Sequence, residues 1–221
     1  MTVEPPPPPW QQARRFYDRI SRAYDLLADA SEHDARERGL ALLDARPGDR
    51  VLEIGFGTGQ AIAALAQAVG ARGRVTGLDV SEGMIAQTRQ RLASAPPPAA
   101  VHLLLGDVRA IPLADAVVDA VFASFTLELI DPPGIPGVLA EIARVLRPGG
   151  RVGLVALSLH DRPNTITRLY QWLHQHFPHF VDCQPIRVGE LLRQGRFALE
   201  DQQELSLWGL PVAIATARRS P

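Results

Sequence analysis

The stretch Val51-Leu-Glu-Ile-Gly-Phe-Gly-Thr-Gly59 decides the fold of this chain. A short apolar run ends on Glu53 and passes directly into glycines at 55, 57 and 59, and an apolar helical pattern follows. Alternate glycines let the backbone turn tightly and approach a ligand closely, while the free N–H groups of a following helix favour a negatively charged group. The stretch therefore predicts a strand, a nucleotide-binding loop and a helix.

The rest of the chain extends this pattern. Short apolar runs alternate with helical stretches, as in a parallel sheet covered by helices on both faces. We predict strands at residues 50–54, 74–79, 101–105, 117–124 and 151–157, helices at 59–69, 81–93 and 135–146, and a turn at 147–150. Two closing strands, 196–205 and 208–217, are too close in sequence for a crossover helix, so we expect them to be antiparallel. The predicted fold class is α/β: a Rossmann-like, three-layer α/β/α domain with a seven-strand, mainly parallel sheet and an antiparallel C-terminal edge.

Further helical patterns lie before the first strand, at 10–30 and 33–43, and after the fifth, at 165–177 and 189–194. The first nine residues include the run Pro5 to Pro9 and predict a disordered, proline-rich tail. We find no domain boundary. The expected organisation is a single domain over residues 10–221, with an N-terminal helical cap over about residues 10–45.

The composition excludes several classes of protein. All 23 basic residues are arginine, so lysine Schiff bases and the lysine-dependent phosphate loop are absent. A net charge of −1 gives no general attraction for nucleic acid, and the single cysteine, Cys183, excludes an internal disulfide. No apolar run is long enough to cross a membrane, and the N-terminus does not have the pattern of a secretory signal. We expect a cytoplasmic monomer or homodimer without a membrane span, which leaves transient membrane contact open.

Two further acids follow predicted strands. Asp79 ends the second strand 20 residues after Gly59, where a carboxylate can accept hydrogen bonds from both ribose hydroxyls. Asp107, in Gly106-Asp107-Val108, follows the third strand and enters the same crevice. The third glycine of the loop falls one residue earlier than in the dinucleotide fingerprint G-x-G-x-x-G. Three acids around one site suit a cationic cofactor better than a pyrophosphate.

Four segments in order now support a resemblance: 53–59, Leu78-Asp-Val-Ser81, Gly106-Asp-Val108, and Leu146-Arg-Pro-Gly-Gly-Arg-Val152. With them the chain resembles the class I S-adenosylmethionine-dependent methyltransferases over roughly residues 16–217. The resemblance implies S-adenosylmethionine as cofactor and S-adenosylhomocysteine as product. It also implies a mechanism that requires no amine nucleophile.

The resemblance assigns parts of the cofactor to particular residues. The loop glycines would line its methionyl and adenosyl portion, Asp79 would hold the ribose, and Asp107 would accept from the adenine amino group. Glu53 would lie near the positively charged end and Tyr24 over the carboxylate, or else Tyr24 is a core residue. The complete set of implied cofactor contacts is Tyr24, Glu53, Gly55, Phe56, Gly57, Gly59, Asp79, Val80, Met84, Gly106, Asp107, Val108 and Ser124.

Segments near both ends are similar to the ubiquinone and menaquinone biosynthesis methyltransferases: Phe16-Tyr-Asp-Arg-Ile-Ser-Arg-Ala-Tyr-Asp-Leu26 and Trp208-Gly-Leu-Pro-Val212. This similarity implies a small, hydrophobic acceptor, a quinone precursor or a lipid-like molecule. Two alternatives remain open. One is an NAD-dependent Rossmann oxidoreductase, and the other is a cofactor-binding module without transfer activity.

No catalytic residue is assigned from the sequence, because methyl transfer from a sulfonium needs a base only when the acceptor must lose a proton. His160 and Glu128 follow predicted strands at suitable positions, but we expect both to be exposed loop residues. His174 and His176 point about 200 degrees apart on a helix, so we expect no metal there. The aromatic residues of the same helix are divided between core packing and an apolar acceptor pocket.

Overall fold

The computed structural model describes residues 29–159, 184–207 and 209–220. The proline-rich tail, nearly all of the helix predicted at 10–30 and the aromatic helix predicted at 165–177 lie outside these residues. The strands are β1 (Arg50–Ile54), β2 (Arg74–Asp79), β3 (Ala100–Leu105), β4 (Val118–Ser124), β5 (Leu146–Leu157), β6 (Phe197–Leu207) and β7 (Leu210–Arg219). Together they form one seven-stranded sheet.

The order of strands is β3-β2-β1-β4-β5-β7-β6. The first five strands are parallel, with Ile54 of β1 opposite Leu78 on one side and Ala123 on the other. β7 pairs antiparallel with both β5 and β6. The predicted fold class is therefore confirmed. Because the strand order reverses between β1 and β4, a crevice opens at their carboxyl ends, where open α/β sheets bind ligands.

Helices cover both faces of the sheet: α1 (Asp29–Leu43), α2 (Gln60–Val69), α3 (Glu82–Ser94), α4 (Ile135–Val145) and α5 (Val188–Gln194). Alternation along the strands divides the core in two. Val51 and Phe122 face α1 and α2, whereas Leu52 and Val121 face α4 and α5. α1 lies so close to the sheet that a Cβ on Gly39 would stand 2.4 Å from Val155 Cγ2. This contact fixes α1 over the end of the sheet that carries the crevice.

Three differences from the predicted element boundaries have a clear physical reason, while most other boundaries shift by a residue or two. α1 begins at Asp29 and runs through the break expected between 30 and 33, because Ser31 and Glu32 do not interrupt a helix as glycine or proline does. β5 begins at Leu146, where a stop and turn were expected, because Leu146 pairs with Val118 before the register shifts to Arg151 and Ala120. The closing hairpin turns two residues later than predicted, since β6 continues to Leu207.

Two features of the sheet lie away from the crevice. At the amino ends of the strands, Arg151 is 7% exposed and forms a salt bridge with Asp49. At one outer edge, β6 carries the exposed residues Glu200, Asp201 and Glu204. None of the helices in the described ranges is long and apolar enough to span a bilayer.

Candidate cofactor pocket

One cleft lies over the carboxyl ends of β1, β2, β3 and β4. Residues from the loops after all four strands line it together with residues of α1. The lining residues are Glu32, Arg36, Glu53, Gly55, Phe56, Gly57, Thr58, Gln60, Ala61, Leu78, Asp79, Val80, Met84, Gly106, Asp107, Val108, Arg109, Ser124, Phe125, Thr126, Leu129, Ile130 and Asp131. Eleven of the thirteen sequence-predicted site residues are among them; Gly59 is not, and Tyr24 lies outside the described residues.

Asp79 organises the glycine loop from the neighbouring strand. Its carboxylate accepts the N–H of Gly57 at 2.9 Å through Oδ2 and the N–H of Ser81 at 2.9 Å through Oδ1. Gly57 has a φ of +50°, and a Cβ there would meet nothing within 4 Å. The loop is thus held in a left-handed turn with open space in front of it.

The first turn of α3 forms the next part of the wall. Ser81 caps the helix, since its Oγ accepts the N–H of Met84 at 3.2 Å, and Met84 is buried beside the cleft. Further along α3, Thr88 donates to the carbonyl of Gly57 at 3.0 Å and Arg91 donates to that of Thr58 at 2.8 Å. α3 therefore holds both the loop and the apolar surface that the resemblance assigns to adenine.

Gly59 has a packing role that the sequence did not indicate. It precedes α2 with a φ of +79°, and a Cβ there would stand 2.4 Å from Thr88 Cγ2. The residue therefore permits close packing of the loop against α3. Its left-handed backbone and that close approach both require glycine.

Glu53 lies on the face of the sheet toward α1, because strand residues two apart share a face and Val51 also points that way. It is 2% exposed, and its Oε2 has no hydrogen-bond partner. Burial raises the pKa of Glu53 well above its usual range; the charge of Arg36 partly offsets this rise and that of Asp79 adds to it. A cationic group placed beside Oε2 would favour the ionised carboxylate.

α1 contributes a positively charged side chain, Arg36, close to Glu53. Arg36 is 8% exposed, and its Nη2 donates to Gln60 Oε1 at 2.5 Å. The pair joins α1 to the first residue of α2, at the side of the cleft where Glu53 lies. An acid and a guanidinium at one end of the cleft match the ammonium and carboxylate of an amino acid.

At the far end of the cleft, Asp107 forms hydrogen bonds with Arg109. Arg109 Nη2 lies 2.5 Å from Asp107 Oδ2, and its Nε lies 3.0 Å from both carboxylate oxygens. Partial burial opposes ionisation of Asp107, but the hydrogen bonds from Arg109 outweigh it and lower the pKa of Asp107. The resemblance predicted Asp107 here, but not the arginine that fixes the orientation of its carboxylate.

The loop after β4 closes the remaining side. Thr126 Oγ1 lies 3.2 Å from the carbonyl oxygen of Ile54 and 3.0 Å from that of Ser124. A Cβ on Gly55 would stand 2.3 Å from this hydroxyl, so Thr126 packs directly against the backbone of Gly55. Phe125, which lies between Ser124 and Thr126 in the chain, has a φ of +51°. This conformation costs a non-glycine residue about 1–2 kcal/mol.

Glu128 is buried, contrary to the exposed loop position expected for it. It is 1% exposed; its Oε1 accepts the N–H of Leu157 at 3.1 Å, and its Oε2 has no partner. Burial raises the pKa of Glu128 to about 8; two backbone N–H groups lower it, and Glu32 raises it further. Glu128 is the central residue of the turn Leu127–Leu129, and its side chain is not part of the lining.

Twelve of the 23 lining residues were not predicted from the sequence, among them Glu32, Arg36, Thr126 and Arg109. The first two belong to a helix whose position over the sheet has no sequence signal. Arg109 follows Asp107 by two residues, a spacing that permits a local ion pair and could have indicated it. His160 and the histidines at 174, 176 and 179 lie outside the described residues. Within the described part, no group of three potential ligands could hold a metal.

Comparison with known proteins gives a consistent result. A family profile described as "Methyltransferase domain" matches residues 51–150. Demethylmenaquinone methyltransferase of Symbiobacterium thermophilum is 29% identical over 95% of this chain and 94% of its own length. Malonyl-[acyl-carrier protein] O-methyltransferase of Serratia marcescens is 38% identical over 63% of this chain and 50% of its own length. Several curated relatives are longer than this chain, which covers 38% to 60% of them.

A solved structure extends the likeness to the whole fold. The 1,6-didemethyltoxoflavin-N1-methyltransferase of Burkholderia thailandensis, with S-adenosylhomocysteine and 1,6-didemethyltoxoflavin bound, superposes with a TM-score of 0.72. The match covers 100% of this chain and 94% of that one at 21% identity. At that identity the likeness concerns the fold.

Proposed function

Because this chain belongs to the class I S-adenosylmethionine-dependent methyltransferases, we propose that it moves a methyl group to a small, hydrophobic acceptor of the quinone-precursor or lipid-like kind. The observation that carries the proposal is the polarity of the cleft. Its floor is made of acids and glycines that suit a cationic nucleoside, whereas the loop after β4 supplies the apolar residues Phe125, Leu129 and Ile130.

The residues present fit the cofactor. Glu53 Oε2 is a buried acceptor without a partner, which suits an ammonium group, and Arg36 suits the neighbouring carboxylate. Asp79 would hold the ribose, with Gly57 leaving space for it. Asp107 and the Val108 amide would face the adenine ring, between Val80 and Met84. Apart from Arg36, these assignments use residues that the sequence resemblance indicates.

S-adenosylmethionine, when bound, supplies an electrophilic methyl group on a sulfonium. The chain's contribution is to hold the acceptor in line with that methyl and to exclude water, which requires orientation more than acid–base chemistry. The apolar loop after β4 provides a dry surface for a flat or aliphatic acceptor. We propose that the protein works in the cytoplasm as a monomer or homodimer.

The cofactor is tested by titration calorimetry. We expect both S-adenosylmethionine and S-adenosylhomocysteine to bind, and Asp79→Ala to weaken the product's affinity at least about tenfold, since a buried acceptor for the ribose is lost. Asp79→Asn is the matched control of equal size, and it should also bind weakly because its amide faces two N–H donors.

Asp79 also holds the loop, so a ribose analogue separates the two effects. The wild-type protein should bind S-adenosylhomocysteine more tightly than its 2′-deoxy analogue, and Asp79→Ala should bind the two alike. Equal binding of the two ligands by wild type would show that the ribose is held elsewhere. Absence of binding by the folded wild-type protein would disprove the cofactor assignment for this chain.

The acceptor is tested by transfer of isotope-labelled methyl. We expect label in 2-prenyl-1,4-naphthoquinol, a soluble analogue of the acceptor that the name demethylmenaquinone methyltransferase implies for the relative. Malonyl-acyl carrier protein is the comparison substrate, chosen from the name of the second relative. Label in the protein-bound malonyl group alone would contradict the quinone proposal. Cofactor binding without label in these substrates or in a lipid extract would favour a binding module without transfer activity, and NADH fluorescence tests the oxidoreductase alternative.

A further inference from the structure

Phe125 points to the opposite face of the sheet from the one that strand alternation predicts. In β4, Val121 and Ala123 face α4 and α5, and continuing the alternation would send residue 125 the same way. The side chain of Phe125 instead packs against the apolar cluster under α1 and α2, which contains Phe122 and Val155. The left-handed backbone, with its φ of +51°, redirects the ring.

Neighbouring contacts hold this backbone in place. The N–H of Phe125 donates to the carbonyl of Val155 at 2.8 Å, which completes the pairing of Ser124 with Val155 at the end of β4. On its other side, Thr126 is held against Ile54 and Gly55. A glycine would adopt this conformation without steric cost, so the chain keeps a bulky aromatic residue where the backbone disfavours it. Such an outlier beside a ligand cleft indicates a function for the side chain.

The redirected ring shares its face with the charged end of the cleft. Glu53 lies on the α1 side of β1, and β4 is the strand beside β1, with Ile54 opposite Ala123. The residues assigned to ribose and adenine follow β2 and β3, on the other side of β1. A cation held near Glu53 therefore has the nucleoside on one side and Phe125 on the other.

We propose that the ring of Phe125 faces the sulfonium end of the cofactor and makes the site prefer the charged methyl donor to its neutral thioether product. The inference rests on the proposed function. An aromatic face attracts a cation through its quadrupole, most strongly where water is excluded. The thioether left after transfer carries no such charge, so the same ring does not retain the product.

Calorimetric affinities for S-adenosylmethionine and S-adenosylhomocysteine, compared as a ratio, test this inference without an acceptor. Phe125→Leu keeps an apolar side chain and removes the ring. We expect it to weaken the binding of S-adenosylmethionine about threefold or more and the binding of S-adenosylhomocysteine less than about twofold. Phe125→Tyr keeps the ring and should keep the wild-type ratio. Phe56→Leu, an aromatic substitution elsewhere in the lining, should change both affinities by the same factor.

Phe125→Gly serves as the second variant, because it accepts the left-handed backbone and remains able to fold if the leucine variant does not. It should show the same selective loss for the charged ligand. An unchanged ratio in both ring-free variants, or an equal change in the Phe56 variant, would overturn the inference while leaving the cofactor assignment intact. Failure of the wild-type protein to bind either ligand would instead count against the proposed function.

Discussion

The two glycines 55 and 57 have similar backbone angles and opposite surroundings, so the same substitution should act differently at each. Gly55→Ala places a methyl group 2.3 Å from Thr126 Oγ1, whereas Gly57→Ala directs it into the open cleft. Each substitution places alanine in a left-handed backbone conformation, which lowers stability by about 1–2 kcal/mol. Gly55→Ala adds a steric overlap that lowers it by about 1–3 kcal/mol more.

We therefore expect urea unfolding to show a larger loss of stability for Gly55→Ala than for Gly57→Ala. Calorimetry should show weaker binding of S-adenosylhomocysteine by folded Gly57→Ala, because the methyl occupies ligand space. Gly149→Ala is the control for backbone strain away from the cleft, since its φ is +71° and a Cβ there meets nothing within 4 Å. Unaltered cofactor affinity in Gly57→Ala would show that the cofactor does not use that space.

The buried carboxyl of Glu128 should make stability depend on pH. Its pKa is about 8 in the folded protein and near 4.5 when exposed, so its contribution is fully present below about pH 4.5 and is lost as the pH rises toward 8. The loss can reach about 1.4 kcal/mol per pH unit within this window.

Glu128→Gln keeps an oxygen for the Leu157 N–H and cannot ionise. Urea unfolding at pH 5, 7 and 9 should show that the variant gains stability relative to wild type as the pH rises. Glu53 also has a raised pKa, but it is present in both proteins, so the difference between them isolates Glu128. A constant difference across the three pH values would contradict the burial-induced shift.

At the scale of elements, α3 is the helix whose start matters most to the pocket. Ser81 caps it from a fully buried position, and the same turn contains Val80 and Met84 of the adenine wall. Ser81→Ala should cost about 1 kcal/mol of stability through loss of the cap. The substitution should also weaken the binding of S-adenosylhomocysteine.

Ser94→Ala, at the exposed last residue of the same helix, is the matched control. Its exposed hydroxyl donates to the carbonyl of Gln90, four residues before it, so neither stability nor affinity should change appreciably. Thermal unfolding and calorimetry give both quantities. If Ser81→Ala lost stability without losing affinity, the cap would serve the helix and not the pocket.

For the whole molecule, the two ends of the sheet should be energetically separable. Asp49 and Arg151 pair at the amino ends, far from the cleft at the carboxyl ends. Asp49→Ala leaves a buried guanidinium without its partner and should cost about 3 kcal/mol. The affinity for S-adenosylhomocysteine, measured well below the unfolding temperature, should remain that of wild type; a weaker affinity would reveal coupling along the strands.

Much of this architecture could be predicted because strands covered on both faces form short apolar runs with clear boundaries. β1 and β2 match their predicted bounds, and the strand after them begins one residue earlier than expected. Asp79 and Asp107 could be placed in one crevice because parallel strands bring their carboxyl ends together. The antiparallel ending followed from the short connection between its strands.

What could not be predicted depends on packing across the sequence. Arg36 reaches the cleft only because α1 lies closely on the sheet at Gly39, a contact between residues more than a hundred positions apart in the chain. The burial of Glu128 depends on the N–H of Leu157, and the packing role of Gly59 depends on Thr88. No local pattern of residue types encodes these encounters.

The acidic outer strand β6 has a consequence for how copies of the protein meet in a crowded solution. An exposed strand offers unpaired backbone groups on which another chain can extend a sheet, and this can lead to aggregation. Two copies approaching edge to edge at β6 would bring Asp201 and Glu204 against the same charges, whereas Glu200 is paired with Arg218 of β7. Like-charge repulsion therefore protects the edge, and any homodimer should form through another surface.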